Sequence, residues 1–235
     1  MKSTNVSQKS APARRWVREH FSYSQWRVWK FEGSKSYAMK YIYWLEDRTN
    51  PRMTLGKQVA EMIEHDRTIV DDKEFAIPEE HRAIYEHLRI FLPQYPLKEF
   101  PLRPIFNGIK LYGKPDGLDL DKKIVGEHKT GVEWNQAMSD ATDPMRKFYK
   151  EGAQLTWYAL LLHLAYGWKP EDIRIQLNWM PTIWEPFQLP RPTGEIKIFE
   201  TRRTTRNILD MGKDIIDTHK AIGEFCAKEL AAIGK

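Results

Sequence analysis

The chain has 235 residues, 41% of them hydrophobic and nine of them tryptophan, enough apolar material for one substantial core and too much for a disordered chain. Its net charge of +5 and pI near 9.1 suit a polyanionic partner. The single cysteine, Cys226, excludes an intramolecular disulfide framework. No stretch reaches the ~18 apolar residues of a membrane span or resembles a secretory signal, so a cytoplasmic setting without a membrane partner is expected.

Residues 1–15 are polar with small residues and read as a flexible basic arm, in which Lys2, Lys9, Arg14 and Arg15 precede Arg18. One domain is expected over 16–235. Its helical first part, about 20–92, has helices near 22–31, 34–46, 54–70 and 78–92. Pro93, Pro96, Pro101 and Pro104 then mark an extended linker. The core is expected over about 105–201. Residues 105–112 (IFNGIKLY) and the LDL after Gly117 alternate apolar and polar residues as half-buried strands do. Asp121, Lys122 and Lys123 turn the chain, and residues 124–130 return as a strand. Asp140, Asp143 and Pro144 break a loop over 131–147. A long helix occupies 148–166, strands follow at 173–180 and 195–201, and a proline-rich excursion runs from Pro181 to Pro192. The last helix, about 203–231, carries Ile208, Met211, Ile215, Ile222 and Phe225 on one stripe.

The chemistry concentrates at residues 113–131, GKPDGLDLDKKIVGEHKTG. Side chains two apart on a strand share a face, so Glu127 and Lys129 point one way and His128 the other. A turn near Asp121 and Lys122 brings Asp116 level with Glu127. Two carboxylates and an ammonium then converge, and the His128 backbone carbonyl is a further oxygen donor. Such a set suits Mg²⁺ or Mn²⁺ beside a phosphate. A bare Asp…Glu-x-Lys pattern is short enough to arise by chance on a wet hairpin. Its company carries the reading.

With the serine-led segment at 21–26, the glycine-led helix from Gly56, and the Gln154-x-x-x-Tyr158 pair one helical turn apart, the chain resembles the PD-(D/E)XK nuclease superfamily, in its RecB-like and Cas4-like exonuclease branch. The resemblance spans about residues 20–210. It implies a restriction-endonuclease-like α/β core: a central mixed sheet flanked by helices, with N-terminal helical additions and a long C-terminal helix. It also implies metal-dependent hydrolysis of DNA in a recombination or repair setting of bacterial, archaeal or phage type. Asp116, Glu127, Lys129, Gln154 and Tyr158 are then the catalytic set, with Asp116, Glu127 and the His128 carbonyl on the metal. The family's metal-binding histidine falls at Ala60 here, and Glu64 or Glu61 is the candidate replacement. Many relatives hold an iron–sulfur cluster on four cysteines, which one cysteine cannot form.

Arg202, Arg203 and Arg206 are expected to contact DNA phosphates, and Trp26, Trp29 or Trp134 to stack on unpaired bases. The partner is DNA, as single strands or duplex ends. No P-loop is present, so a helicase or recombinase would be a separate chain. An EF-hand starting at Asp116 fails, because Leu118 and Leu120 fall on ligand positions and Asp121 on the required glycine. Scattered histidines and one cysteine argue against structural zinc, and Cys226 on an apparent surface helix against a cysteine nucleophile. Two alternatives remain open: a non-catalytic DNA-binding or scaffolding protein on the same fold, and an endonuclease.

Overall fold

The computed structural model describes residues 19–43, 51–65, 77, 79–131, 150–183 and 191–233. The elements that carry the site are strands and one crossover helix. β1 (Phe21–Ser22), β3 (Ile105–Phe106) and β4 (Ile109–Tyr112) form a small sheet in the order β1-β4-β3. The larger sheet runs β2 (Leu97–Lys98), β5 (Gly117–Asp119), β6 (Ile124–Gly131), β7 (Arg174–Ile183). Beyond β7, β9 (Lys197–Thr201) pairs with its first half and β8 (Arg191–Pro192) with its end.

Among the described residues the larger sheet has one parallel pair, β6 with β7, in register from Ile124 opposite Arg174 to Gly131 opposite Pro181. Parallel neighbours require a crossover, and α5 (Lys150–Tyr166) supplies it. Apolar residues surround this helix rather than forming one stripe. Ala153, Leu155, Trp157, Ala159, Leu160, Leu161 and Leu162 are all buried, as suits a helix packed on several sides. It packs on Leu118, Val125 and Ile175 of the sheet and on α6 (Thr205–Ile233). The expected stripe on α6 is present: Ile208, Met211, Ile215 and Ile222 are buried and Phe225 packs beside them.

The N-terminal segment is pinned to α6. α1 (Tyr23–Arg27) opens with a capping box in which Ser22 and Gln25 satisfy each other's backbone N–H groups. The Trp26 indole and the Lys30 ammonium both donate to Asp214, at 2.6 and 2.7 Å. α2 (Gly33–Tyr37) follows, and one π-helical turn extends each of these short helices. α3 (Pro51–His65) and α4 (Arg82–Phe91) build a second apolar cluster from Leu55, Val59, Met62, Tyr85 and Leu88, closed by Met180 of β7. Met180 is of opposite parity to Ile175, so this cluster covers the other face of the sheet from α5.

The α/β class, the mixed sheet between helices and the long last helix agree with the sequence reading. Two local expectations need correction. Residues 105–112 are a tight hairpin rather than one strand, because Asn107 and Gly108 both take positive φ, 46° and 77°, as a two-residue primed turn requires. The proline-rich segment is more than a linker, since β2 within it pairs antiparallel with β5.

Candidate active site

β5 and β6 form the expected hairpin, with Gly117 opposite Gly126 and Asp119 opposite Ile124. Continuing that register sets Asp116 against Glu127. Asp116 Oδ2 accepts the His128 backbone N–H at 2.6 Å, which fixes its carboxylate over the returning strand. The paired glycines are forced. A Cβ on Gly117 or Gly126 would stand 1.9 or 2.2 Å from the Tyr95 ring, which fills the slot above them. The Tyr95 hydroxyl donates to Gln176 and accepts from Asn178, both at 2.9 Å, and so ties β5, β6 and β7 together. The His128 ring lies on this face, its centroid 6.1 Å from that of Tyr95. Burial holds the imidazole near pKa 4, so it is neutral.

On the other face Glu127 is buried, at 4% exposure. Its Oε1 accepts from the Lys129 ammonium at 2.7 Å and from the Gln154 amide at 2.6 Å. Lys129 also donates to Gln154 Oε1 at 3.0 Å, closing a three-membered ring of polar contacts. The Gln154 amide reaches Tyr158 Oη at 3.1 Å, one helical turn on, and Tyr158 donates to the Lys114 carbonyl at 3.3 Å. Helix α5 thus clamps the hairpin through two side chains. Burial, with the Asp116 carboxylate close by, lifts Glu127 to about pKa 7 against the pull of Lys129. Burial likewise raises Tyr158 well above the ordinary tyrosine range, so it stays a neutral hydroxyl.

Asp116, Glu127, His128 and Lys129 line a cavity of about 210 Å³. Gly56, Val59 and Ala60 of α3 form part of its wall, and Thr130 Oγ1 lies 4.0 Å from where a Gly56 Cβ would stand. Ala60 therefore borders the cavity and presents only a methyl group. The side chains of Glu61 and Glu64 lie outside the described residues. Glu99 also lines the cavity; sequence reading missed it. Its backbone is left-handed, φ 50°, its N–H donates to the Asp116 carbonyl, and its carboxylate pairs with Lys114. The one available signal was an acid after Pro96, within a segment read as linker.

The donor set fits a hard cation. Glu127 Oε2 is a buried acceptor without a hydrogen-bond partner, and Asp116 shares the cavity. Among the described residues no three acidic, histidine or cysteine side chains gather as a complete metal cage. Mg²⁺ sites commonly use one or two carboxylates, with water and substrate phosphate completing the shell.

Other expected residues lie elsewhere. Arg203 is no surface cation. It is fully buried, and its guanidinium donates to Thr156 and Thr201 hydroxyls and to the Gly152 and Arg202 carbonyls. Arg202 is exposed and donates to the Glu171 carbonyl, while Arg206 pairs with Asp210 on the helix surface. Trp26 is completely buried and Trp29 packs against the core, so neither is an open stacking surface, and Trp134 lies outside the described residues. Cys226 is buried on α6 rather than at its surface, and burial raises its thiol pKa.

No family model and no curated protein matches the chain. Among solved structures, a "Putative exonuclease" from Eubacterium rectale superposes with a TM-score of 0.55 at 13% identity, covering 88% of this chain and 82% of that one. That likeness supports the fold. A second structure, of SSO0001, covers 76% of this chain and 80% of its own at 13% identity, with a TM-score of 0.30. Among the described residues no helix is long and apolar enough to cross a membrane.

Proposed function

We propose that the chain is a divalent-metal-dependent DNA nuclease of the PD-(D/E)XK superfamily, in its RecB-like branch without an iron–sulfur cluster, and that it works as an exonuclease on strand ends. One observation carries this reading: Glu127 is buried in a cavity opposite Asp116, held through one oxygen by Lys129 and Gln154, with its second oxygen unpartnered. A buried acceptor left without a partner costs stability, a cost that a bound cation would offset. The exonuclease preference rests on the sequence resemblance, and the fold likeness supports the architecture.

Asp116 and Glu127 would hold Mg²⁺ or Mn²⁺, which supplies charge to the phosphoryl oxygens and acidifies a water. The chain's own groups do the positioning. The His128 N–H orients Asp116, and Gln154 with Lys129 orients Glu127. The Lys129 ammonium sits beside Glu127, where it can stabilise negative charge growing on a phosphate in the transition state. Tyr158 buttresses Gln154 from one turn along α5.

Lys129→Ala and Asp116→Ala are each expected to lower cleavage of linear DNA in Mg²⁺ or Mn²⁺ by at least about 10²-fold while the circular dichroism spectrum is unchanged. An Asp116→Ala variant that degrades DNA at the parent rate ends the proposal. Closed circular DNA should resist the enzyme; its cleavage would make the protein an endonuclease. Ala60 at the cavity wall favours one rival, a scaffold that binds DNA without cutting it. DNA binding in EDTA with no cleavage under any cation would select that rival.

A further inference from the structure

A second, more open cleft of about 450 Å³ lies against the candidate site, and Gln154 and Tyr158 form part of its wall. The rest of its lining includes His20, Ser24, Tyr112 and Lys114. The two cavities share no lining residue, but side chains that line one touch side chains that line the other. Gln154 holds Glu127 and Lys129 of the first cavity while lining the second. Lys114 lines the second while its ammonium pairs with Glu99 of the first. A chain whose scissile phosphate lies at Glu127 and Lys129 therefore has a neighbouring unit within reach of this cleft.

We propose that the cleft is a subsite for one unpaired nucleotide of the substrate strand, with its base against Tyr112 and its phosphate at Lys114. The inference rests on the nuclease reading and adds to it a requirement for strand separation beside the cut.

The lining offers a partner to each part of a nucleotide. Tyr112 is a half-buried ring at the end of β4, with the Arg103 guanidinium 5.8 Å from its centroid and the His20 ring 6.1 Å away and tilted. With Arg103 over one face of the Tyr112 ring, a base would stack on the other, and such stacking tolerates any sequence. The Lys114 backbone is fixed through the Tyr158 contact to its carbonyl, but among the described residues its ammonium is held by one partly exposed ion pair. Such pairs are weak, so a phosphate can take the ammonium from Glu99. Ser24 is exposed at the same wall and adds a hydroxyl. The acid at the rim, Glu19, faces the Lys110 ammonium at 3.5 Å, which offsets its repulsion of a phosphate. The opening lies between the first residues of α1 and the end of β4.

The test uses the full chain in EDTA, where cleavage is silent, and fluorescence anisotropy of a labelled thymidine decamer. Tyr112→Ala should weaken binding roughly tenfold and Tyr112→Phe should not, as loss of one stacked base requires. A decamer with an abasic terminal unit should bind the parent and Tyr112→Ala equally. Unchanged affinity of Tyr112→Ala, or an equal loss with Tyr112→Phe, overturns the subsite. A second readout needs no variant: 2-aminopurine at the strand terminus should be quenched on binding to the parent, and an unquenched terminal probe overturns the proposal. If free thymidine monophosphate competes at the decamer's own affinity, the occupant is a free nucleotide and the strand subsite falls. Cleavage of the same decamer by the parent in Mn²⁺ separates the two levels. Cleavage together with unaltered binding by Tyr112→Ala removes the subsite alone. A parent that neither binds nor cleaves the decamer removes the nuclease reading with it.

Discussion

Glu127 shows how one residue carries opposite demands. Its carboxylate is buried beside Asp116, so its pKa sits near 7 against an ordinary 4.5, even with Lys129 at 2.7 Å. The sign follows from linkage. The folded chain holds this proton more tightly than the unfolded chain, so well below pH 4.5 both states are protonated and the cost of burying the ionised form is absent. As pH rises from about 4.5 to about 7 the cation-free protein loses stability, and above that the whole cost is present. A cation favours the ionised form and removes that cost. Excess Mn²⁺ should therefore raise the melting temperature more at pH 8 than at pH 5. Glu127→Gln should flatten this dependence and abolish most of the Mn²⁺ shift. Equal shifts at both pH values would show that the cation does not meet Glu127.

At the scale of elements, the hairpin depends on a missing side chain at two positions. Gly117 and Gly126 are cross-strand partners, and the Tyr95 ring rests where their Cβ atoms would be. Gly126→Ala should cost about 1–3 kcal/mol in chemical denaturation through overpacking. Adding Tyr95→Ala should recover part of that loss, a non-additivity expected only of groups in contact. Arg203 makes the converse point. Arg203→Ala should cost about 2–3 kcal/mol by stranding buried hydroxyls and carbonyls, with DNA affinity per folded molecule unchanged. A loss of affinity without a loss of stability would return Arg203 to the DNA surface. These residues also mark what the sequence discloses. Period-two alternation and a short polar turn made the pairing of Asp116 with Glu127 legible, because both signals are local. The i, i+4 spacing of Gln154 and Tyr158 was legible for the same reason. Arg203, Trp26 and Cys226 were misread as surface groups because burial is set by distant partners: α5 for Arg203, Asp214 for Trp26 and the core for Cys226. The β2–β5 pairing and the place of Glu99 depend on contacts that no window of sequence contains. The Asn107-Gly108 turn was legible in its dipeptide and was overlooked inside an apparently continuous alternation.

At the scale of the molecule, two apolar layers hold the sheet, with α5 and α6 on one face and α3 and α4 on the other. The candidate cavity lies where the second layer meets the end of β6, through Gly56 and Ala60. With a net charge of +5, the proposed DNA complex should weaken steeply with salt, by about tenfold or more between 50 and 200 mM if several phosphates are neutralised. A salt-independent affinity in filter-binding assays would exclude a backbone-dominated complex.

The clamp from α5 onto the hairpin has a consequence for the order of folding. The β5–β6 hairpin closes over a short loop and can form early, but Glu127 and Lys129 meet Gln154 only after α5 has docked on it, and the parallel pairing of β6 with β7 needs that same crossover. Non-local parallel pairing of this kind is slow to form. The proposed nuclease activity should therefore reappear late in a refolding time course, after most of the helical signal. On the proposed reading, a newly made chain would remain harmless to DNA until its architecture is complete.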